Sequence, residues 1–505
     1  MKSSLTVHNS LKRGKEEFQP LVEGRIGLYV CGPTVYSDVH LGNVRTFTSF
    51  DVIYRYLMYL GYKVRYVRNI TDVGHLVGDV DDTDAEDKLA KQARLEQLEP
   101  MEVAQKYTNG FHDMMRIFNN LPPSIEPTAT GHIPEQIQMV QDILDNGYAY
   151  ESNGSVYFDT PKFIAEKGSY GKISGRIVED LISETRDNLK NQSEKRHPSD
   201  FAIWMKAADN HLMHWQSPWS VGFPGWHLEC SAMSTKYLGK TFDIHGGGND
   251  LKFPHHENEV AQNSAACNCE GARYWLHTNM LLMNGRKMSK SDGNTITPQQ
   301  LFSGESPHIT KGYSPMAIRY FMLQAHYRST LDITDAGLQS AEKGYRKLME
   351  ANAVLQKLEY SGKEAVVEAD EKAVLESIQG IHDSMSDDFN TAKTIARMME
   401  LSSYIFKFKN QQLSINVISK TTFEQLQVVF KEFIYDIFGL KDELAEAGGG
   451  NNEVLDGLMG LVIDMRNSAR ANKDWGTADK IRDTLKELKI QLKDGKEGTS
   501  WSVDK

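Results

Sequence analysis

The segment Tyr29–Asn43 constrains the fold of this chain more than any other part of it. The short apolar run Arg25–Val30 leads into the segment and stops at a Cys-Gly-Pro turn, which predicts a buried strand. Leu41–Leu60 then carries apolar and aromatic residues at helical spacing, and Lys63–Asn69 predicts a second strand. The order strand, turn, helix, strand predicts an α/β fold.

Three residues at or near the start of the predicted helix, His40, Gly42 and Asn43, are suited to binding phosphate. A helix amino terminus offers unpaired N–H groups and the positive end of the helix dipole. The glycine lets a ligand approach the backbone, and the imidazole donates to phosphate oxygens. The alternative is a solvated polar helix cap. A cysteine at the strand end in the same loop favours a ligand site.

Length and charge limit the classes of protein that need considering. A chain of 505 residues exceeds one typical core, so we expect several domains. No apolar run approaches the ~20 residues of a membrane helix, and we expect neither a secretory leader nor membrane attachment. Four cysteines form no disulfide scaffold, which favours a reducing, cytoplasmic location. A net charge of -11 argues against indiscriminate polyanion binding, although a local basic surface could still dock a folded RNA.

The chain beyond the second strand contains a candidate pocket residue and then an insertion. Thr71 follows that strand, where ligands of open parallel sheets gather. We expect the acidic segment Gly78–Asp87 to be a solvated loop rather than a metal site, and Lys88–Arg116 to form a helix. We interpret residues 121–206 as an insertion between two halves of one nucleotide-binding sheet. A hairpin is predicted within it at Tyr148–Phe158.

After the insertion, residues with metal-binding chemistry recur at predicted strand ends and helix starts. His255 and Glu259 are four apart, so on a helix they share a face, as a pair of metal ligands would. One parallel sheet could converge them with Cys31 and with Cys230, which lies early in another predicted helix. A rival ligand pair, Cys267 and Cys269, follows at the end of the helix that begins near His255.

A third cluster, Met283–Asn294, contains two lysines three apart, interleaved with serines and bounded by glycines. Such a mobile cationic loop is suited to neutralising charge that develops on departing pyrophosphate. From composition alone an ordinary solvated basic turn is the simpler interpretation. The position of the loop downstream of the half that carries His40–Asn43 favours the phosphate role.

These motifs together resemble the class I aminoacyl-tRNA synthetases and, among them, the cysteinyl-tRNA synthetase family. The segment His40–Asn43 (His-Leu-Gly-Asn) resembles the first signature of the class, and Lys287–Ser291 (Lys-Met-Ser-Lys-Ser) matches the second completely. Three further blocks resemble cysteine-specific segments: residues 31–36, 225–230 and 253–259. Two departures are Asn43, where the class has a second histidine, and a longer acidic loop after Thr71-Asp72. The resemblance covers nearly the whole chain.

The resemblance implies a Rossmann-like catalytic domain with an insertion, an α-helical bundle and a small carboxyl-terminal α+β domain that binds the anticodon. It implies one zinc ion per chain, bound by Cys31, Cys230, His255 and Glu259, which receives the substrate sulfur as a thiolate. Thiolates are softer ligands than alkoxides, so this metal would select cysteine over serine. The remaining implied contacts to cysteine are Gly32, Thr71, Trp226 and Asp250, with Asp250 facing the ammonium group.

The implied reaction joins cysteine to ATP, supplied with Mg²⁺, as cysteinyl-adenylate and then transfers it to tRNA(Cys). His40, Gly42 and Asn43 would bind the ATP phosphates, with His40 and Asn43 acting in catalysis, and Lys290, assisted by Lys287, would stabilise the transition state. The resemblance suggests a monomer. An alternative is an ATP-dependent ligase that joins cysteine to a small amine, which would lack an anticodon-binding tail. A zinc-stabilised nucleic-acid-binding protein without catalysis would leave the lysine-containing loop unexplained.

The carboxyl-terminal part of the chain is predicted to be helical, with a glycine-rich linker near residue 448. Four amphipathic segments predict a bundle: Ala336–Leu358, Glu371–Met385, Thr391–Phe408 and Thr422–Phe438. The predicted domains, in chain order, are a first catalytic half (1–120), an insertion (121–206), a second catalytic half (207–294), a stem-contact region (295–334), a helix bundle (335–446) and an anticodon-binding domain (447–505).

Overall fold

A parallel sheet forms around Arg25–Val30, the first strand expected from the sequence. The structure is a computed structural model that describes residues 4–73, 88–168, 170–176, 194–209, 211–288, 293–362, 365–443, 452–488, 490–495 and 498–503. Its strands are β1 (Thr6–Asn9), β2 (Gly14–Glu17), β3 (Arg25–Val30), β4 (Lys63–Arg68), β5 (Ala149–Ser152), β6 (Ser155–Phe158), β7 (Phe201–Lys206), β8 (Trp215–Gln216), β9 (Val221–Pro224), β10 (Thr241–Gly248), β11 (Gly271–Thr278), β12 (Leu281–Met283), β13 (Arg286–Lys287), β14 (Leu331–Ile333), β15 (Ile490–Gly495) and β16 (Gly498–Val503).

Helices connect these strands and make up most of the chain after β14. They are α1 (Leu41–Tyr59), α2 (Lys88–Glu96), α3 (Pro100–Ile117), α4 (Ile133–Asp145), α5 (Thr160–Lys167), α6 (Trp226–Leu238), α7 (His255–Cys267), α8 (Pro298–Ser303), α9 (Pro315–Leu323), α10 (Asp335–Lys357), α11 (Glu368–Ser386), α12 (Thr391–Lys409), α13 (Lys420–Lys431), α14 (Asn452–Ala471) and α15 (Trp475–Glu487). Short 3-10 turns cover Thr130–His132, Asn249–Lys252 and Ile415–Val417, and a π-helical segment, Glu432–Ile437, continues α13.

The central sheet has the strand order β11, β10, β3, β4, and every neighbouring pair is parallel. In its register Tyr29 of β3 lies opposite His245 of β10 and Val67 of β4. The carboxyl ends of all four strands therefore lie along one edge of the sheet. The strand β4 lies on one side of β3, and the next strand of this sheet along the chain, β10, lies on the other side. Ligands of open α/β sheets bind at such an edge, near the point where the strand order reverses.

Helix α1 covers this sheet, and its sequence explains its position. Val44, Phe47, Phe50 and Leu57 recur at helical spacing and are buried in the main apolar core. Phe50 also approaches the backbone of β10, because a Cβ added at Gly246 would lie 2.2 Å from its ring. Only glycine therefore allows the helix to sit this close to the strand.

The single helix predicted for Lys88–Arg116 is wrong, because the structure has two helices there, α2 and α3. The chain turns at Gln97, whose φ is 59°, a value that α-helical residues do not adopt. Pro100 then occupies the first turn of α3, where its missing N–H leaves no hydrogen bond unmade. A proline that the periodicity passed over thus starts a helix.

The insertion contributes a second, antiparallel sheet. The hairpin expected at Tyr148–Phe158 is present as β5 and β6, joined through Asn153 and Gly154, both at positive φ. The sheet continues in the order β5, β6, β7, β9, β8 and so includes strands beyond residue 206. Residues 177–193 of this region, like the acidic segment 78–87 before it, lie outside the described residues.

The chain divides into two compact units, Met1–Leu440 and Lys441–Lys505. The first contains both sheets and the helices α10–α13, which confirm the predicted helical region after β14. The second contains α14, α15 and the antiparallel pair β15 and β16, an α+β unit. The domain limits predicted within the first unit remain predictions. Among the helices of the described residues, none combines the length and the apolar content needed to cross a membrane.

Candidate functional site

The carboxyl edge of the central sheet brings four metal-binding side chains together. Cys31 directly follows β3, and the first turns of α7 supply His255, His256 and Glu259. Their donor atoms all lie within 4.8 Å of one another, and all four residues are buried. We call these four residues the donor cluster. His255 and Glu259 share a face of α7, as their spacing predicts, and their Nε2 and Oε1 atoms are 3.2 Å apart.

The distances within the donor cluster match the spacing of ligands around one ion. Cys31 Sγ lies 3.6 Å from His255 Nε2 and 3.7 Å from Glu259 Oε1. A tetrahedral zinc ion, with Zn–S near 2.3 Å and Zn–N near 2.0 Å, spaces its ligands about 3.5 Å apart. Within the described residues the buried Oε2 of Glu259 has no hydrogen-bond partner, which is costly unless a cation is close. Thiol, imidazole and carboxylate donors at these separations fit a zinc-type metal.

Burial, charges and hydrogen bonds within the cluster shift the pKa values of its side chains in different directions. Burial opposes ionisation of Glu259, but the charge of His245 and hydrogen bonds from His245 and His255 lower its pKa to about 2. Burial also opposes protonation of His255, but the charge on Cys230 and hydrogen bonds to Cys230 and Glu259 raise its pKa to about 10. Burial and neighbouring imidazoles lower the pKa of His256 well below its ordinary value. Metal binding would displace the proton on His255.

Cys230, on the second turn of α6, lies beside the donor cluster without being one of its four residues. It forms a hydrogen bond with Cys31, and both cysteines are buried free thiols. Burial raises the pKa of Cys31, and the hydrogen bond to Cys230 raises it further. Burial also opposes ionisation of Cys230, but the hydrogen bond from Cys31 and the charge of His255 lower its pKa to about 6. The pair is therefore arranged as a thiol that donates to a thiolate.

Further imidazoles fix the orientation of the histidine ligands. His227 Nδ1 lies 2.9 Å from His255 Nδ1, which leaves His255 Nε2 facing Cys31. His256 Nδ1 lies 2.7 Å from Nε2 of His277. Hydrogen bonds to the second ring nitrogen are how proteins set the tautomer and direction of a metal-binding histidine.

The predicted substrate residues Gly32 and Thr71 lie together next to the cysteines. Asn69 connects them: its Oδ1 accepts from Gly32 N at 2.8 Å, and its Nδ2 donates to Thr71 Oγ1 at 3.1 Å. Thr71 Oγ1 donates in turn to Glu229 Oε2 at 3.0 Å. Burial raises the pKa of Glu229 well above its ordinary value, and the charge of Cys230 raises it further. These residues form a polar wall at the ends of β3 and β4.

The two other predicted substrate residues flank the donor cluster differently. The Trp226 ring lies 4.5 Å from the His255 ring, between ring centres, so it covers one side of the cluster. Asp250 is exposed in the 3-10 turn after β10, where its Oδ1 lies so close to Gly248 that a Cβ there would be 2.3 Å away. Trp226 therefore lies against the cluster, whereas Asp250 lies in the loop at the sheet edge.

The predicted phosphate-binding residues form the cap of α1. His40 is the amino-terminal cap: its Nδ1 accepts from Asn43 N at 3.3 Å, and Asn43 Oδ1 accepts from His40 N at 3.4 Å. A Cβ at Gly42 would lie 2.9 Å from the His40 ring. Lys287 is exposed at the end of β13, and Lys290 lies outside the described residues. The structure thus forms the polar cap that the sequence allowed, at an exposed helix amino terminus.

The rival cysteine pair lies elsewhere on α7. Cys267 is the last residue of the helix, Asn268 caps it with a φ of 55°, and Cys267 and Cys269 are joined by a disulfide. Neither belongs to the donor cluster. Among the described residues the structure therefore groups Cys31, not this pair, with the histidines.

The chain is similar to known proteins along its whole length. The family model described as "tRNA synthetases class I (C) catalytic domain" matches residues 17–343, and a DALR domain model matches residues 381–441. A cysteine–tRNA ligase from Cytophaga hutchinsonii is 53% identical over 503 residues, covering 99% of each chain. One from Parabacteroides distasonis is 51% identical over the full length of both chains. This chain belongs to the cysteine–tRNA ligase family.

Cysteine–tRNA ligases share their fold with other class I synthetases, and the structure agrees. The methionyl-tRNA synthetase of Mycobacterium tuberculosis, solved in complex with methionyl-adenylate, superposes with a TM-score of 0.56 at 15% identity. The match covers 82% of this chain and 92% of that one. The predicted fold class, a Rossmann-like catalytic domain with an insertion and helical carboxyl-terminal regions, is confirmed.

Three residues near the site of this cysteine–tRNA ligase family member were missed by sequence reasoning. His245 Nε2 lies 3.4 Å from Cys31 Sγ and 3.5 Å from Glu259 Oε1. His256 belongs to the donor cluster, and Asn69 links the two strand ends. The signal for His245 is its place at the end of a predicted strand, directly before three glycines, where ligands of parallel sheets bind. Asn69 gives no such signal in the sequence.

Proposed function

We propose that this chain activates L-cysteine with ATP and transfers the cysteinyl group to the 3′ end of tRNA(Cys). In the first step a carboxylate oxygen of cysteine attacks the α-phosphorus of ATP, the bond to the bridging oxygen of the β-phosphate breaks, and pyrophosphate leaves. In the second step the ribose hydroxyl of the terminal adenosine attacks the carbonyl carbon, and AMP leaves. Full-length identity to cysteine–tRNA ligases supports this activity.

We propose further that Cys31, Cys230, His255 and Glu259 hold one zinc ion per chain. When bound, the zinc would accept the substrate sulfur as a thiolate, a soft ligand that serine cannot provide. The spacing of Cys31, His255 and Glu259 in the donor cluster, and the Oε2 of Glu259 that has no partner among the described residues, support three of these ligands. The hydrogen bond between Cys230 and Cys31 supports the fourth. Packing alone discriminates groups of similar size by only about 1–3 kcal/mol, so a chemical criterion is needed to exclude serine.

The chain's own residues would bind and orient the substrates. Gly32 and Thr71, held by Asn69, would line the cysteine pocket, with Trp226 covering it and Asp250 facing the ammonium group. The capped start of α1 would bind the ATP phosphates, supplied with Mg²⁺, through His40, Gly42 and Asn43. Such positioning and charge stabilisation supply most of the rate in phosphoryl-type transfers.

The lysine-containing loop would act on the departing pyrophosphate. Lys287 is exposed at the end of β13, so its ammonium group is accessible to a phosphate. Lys290, three residues further on, would stabilise the transition state, with Lys287 assisting.

We propose a monomer, as the resemblance suggests, because the donor cluster needs no second copy of the chain to complete it. We also propose a cytoplasmic location, since the buried Cys31 and Cys230 are needed as free thiols, whereas the disulfide between Cys267 and Cys269 lies outside the donor cluster.

The observation that carries the proposal is the position of the donor cluster. Cys31 and α7 meet at the carboxyl edge of the parallel sheet, the same edge at which α1 begins. The proposed metal site and the proposed phosphate-binding helix start thus share the edge where this fold class binds its ligands.

Elemental analysis combined with cysteine-dependent ATP–pyrophosphate exchange tests the proposal. We expect about one zinc per chain, exchange with cysteine and none above background with serine, and charging of transcribed tRNA(Cys). Exchange that runs equally well with serine would refute selection by the metal. Exchange without charging would favour a ligase that acts on a small amine.

The Cys230→Ser variant tests whether Cys230 is a metal ligand. It should lower the zinc content and the affinity for cysteine together, with the KM for ATP unchanged. Cys269→Ser is the matched control, because Cys269 is bonded to Cys267 whereas Cys230 is hydrogen-bonded to Cys31, and it should retain zinc and activity. Retained zinc and unchanged cysteine affinity in Cys230→Ser would contradict the ligand assignment.

A further inference from the structure

Glu257 is a buried carboxylate in the first turn of α7 to which the proposed function gives no role. It lies two residues from His255 and two from Glu259, and its side chain is 1% exposed. Burying a carboxylate is costly unless hydrogen bonds satisfy its oxygens, so the partners of Glu257 indicate its role.

Three backbone N–H groups satisfy this carboxylate, and all three belong to residues 170–176, which we call the docked segment. Oε1 accepts from the N–H groups of Ile173 and Ser174, both at 2.6 Å, and Oε2 accepts from that of Gly171 at 3.0 Å. The docked segment precedes α7 by more than eighty residues and lies within the predicted insertion. Hydrogen bonds to a charged group are stronger than neutral ones, so Glu257 joins two distant parts of the chain firmly.

Further contacts hold the docked segment in the same place. Tyr170 OH donates to Asn258 Oδ1, on the same helix turn as the carboxylate. On the carbonyl side of the segment, Arg13 Nη2 donates to Gly171 O at 3.0 Å and to Lys172 O at 3.2 Å. A guanidinium group thus binds the carbonyl oxygens of the segment, while a carboxylate binds its N–H groups.

The docked segment reaches the apolar surroundings of the two free cysteines. Ile173 is 3% exposed and belongs to the same buried cluster as Cys31 and Cys230. The residue whose N–H binds Glu257 therefore places its side chain among those that enclose the proposed ligands. Apolar side chains around a metal site control the access of water to it.

The position of Glu257 on α7 relates it to the proposed metal ligands. With 3.6 residues per turn, a residue lies about 200° around the helix axis from residues two positions away. His255 and Glu259 therefore face the donor cluster from one side of the first turn, and Glu257 binds the docked segment from the other. The start of α7 is held from both sides.

We propose that Glu257 is a positioning residue for the metal site. It anchors the first turn of α7 to the docked segment and so fixes His255 and Glu259 relative to Cys31. The inference rests on the proposed function for the identity of the metal ligands. It gives the predicted insertion a part in the selection of cysteine, because the segment that Glu257 binds lies within it.

The test compares Glu257→Gln with the wild-type full chain, by zinc competition against a chromophoric chelator and by exchange kinetics. Glutamine keeps the size of the side chain but replaces one acceptor oxygen with an amide donor, which opposes a backbone N–H of the docked segment. We expect the Kd for zinc to rise by about tenfold, as for other residues that orient metal ligands. The KM for cysteine should rise with it, and the KM for ATP should stay unchanged. A lower thermal stability with unchanged zinc affinity and unchanged KM for cysteine would show a merely structural role and overturn the inference.

Gly171→Ala alters the docked segment without changing α7. The φ of Gly171 is 91°, and a Cβ there would lie 2.1 Å from the carbonyl oxygen of Arg176, so alanine should displace the segment and weaken zinc binding as well. This variant decides the question if Glu257→Gln does not fold. Wild-type zinc affinity in Gly171→Ala would contradict the inference.

Glu270→Gln is the matched control. Glu270 contacts the same segment through an exposed ion pair with Lys172, so its loss should change neither zinc affinity nor either KM. Zinc competition requires no catalysis, so it tests the positioning role even if the chain fails to exchange pyrophosphate with cysteine.

Discussion

Replacing Gly32 with alanine should separate the ends of β3 and β4 and disable the proposed cysteine pocket. A Cβ at Gly32 would lie 1.5 Å from the carbonyl oxygen of Asn69 and 2.6 Å from its carbonyl carbon. Both obstructing atoms belong to the backbone, so no side-chain rotation relieves the overlap. The strand ends must move apart by about 2 Å to restore an ordinary contact.

The cost of this movement has two parts. Overpacking a closely fitted site typically costs about 1–3 kcal/mol. The movement also breaks the hydrogen bond from Gly32 N to Asn69 Oδ1, now 2.8 Å, which contributes about 1 kcal/mol. We therefore expect Gly32→Ala to lose about 2–4 kcal/mol of unfolding free energy. Cys31 is the adjacent residue, so cysteine-dependent exchange should fall by about a hundredfold, the effect of an ångström of misplacement.

Gly110→Ala provides a control with the opposite sign. Gly110 lies in the interior of α3, is exposed, and has no atom within 4 Å of an added Cβ. Alanine there should stabilise the protein by about 1 kcal/mol through helix propensity and leave exchange unchanged. Urea denaturation and the exchange assay measure both variants. A Gly32→Ala protein with wild-type stability and wild-type exchange would refute the close approach of the two strand ends.

Two other predictions concern buried carboxylates. Asp51 accepts hydrogen bonds from Arg55 and Arg319 and is 2% exposed. Asp51→Asn leaves these two buried guanidinium groups without their counter-charge. The variant should lose about 3–5 kcal/mol of unfolding free energy, measured by urea denaturation. Glu400→Gln removes the charge from an exposed pair with Arg397 and should cost less than about 1 kcal/mol. Equal losses of unfolding free energy in Asp51→Asn and Glu400→Gln would contradict this account. Burial raises the pKa of Asp72 above 3.8 in spite of hydrogen bonds from Thr130. The folded chain therefore binds this proton more tightly than the unfolded chain, and the contribution of Asp72 to stability is full below pH 3.8 and falls as pH rises through the folded pKa. Asp72→Asn should lack this decline, which paired denaturation series across that range would measure.

The parts of the fold that the sequence predicts are those with a strong local pattern. Apolar spacing located α1 and the bundle helices to within a few residues, because each buries one continuous face. The convergence of Cys31 with α7 was predicted from topology alone, since parallel strands place their carboxyl ends at one edge of the sheet.

The parts that the sequence does not predict depend on contacts between distant segments. The break between α2 and α3 rests on one residue at positive φ, which composition does not reveal. His245 occupies a strand position where an apolar side chain is expected, and its approach to Cys31 depends on the register with β3, in which His245 lies opposite Tyr29. Asn69 acts through two short hydrogen bonds whose partners are 37 and 2 residues away.

The buried arginine of α9 decides how the enzyme can be divided. Arg319 donates to the carbonyl oxygen of Phe438 at 2.6 Å and to that of Phe118. Each of these acceptors lies more than a hundred residues from Arg319 along the chain, and together they replace the water that the buried guanidinium group lacks. Asn119 Nδ2 also donates to the carbonyl oxygen of Gly439. A fragment that stopped after the family's catalytic domain, at residue 343, would leave this guanidinium short of an acceptor in an apolar interior. The smallest catalytic fragment that folds should therefore extend past Gly439.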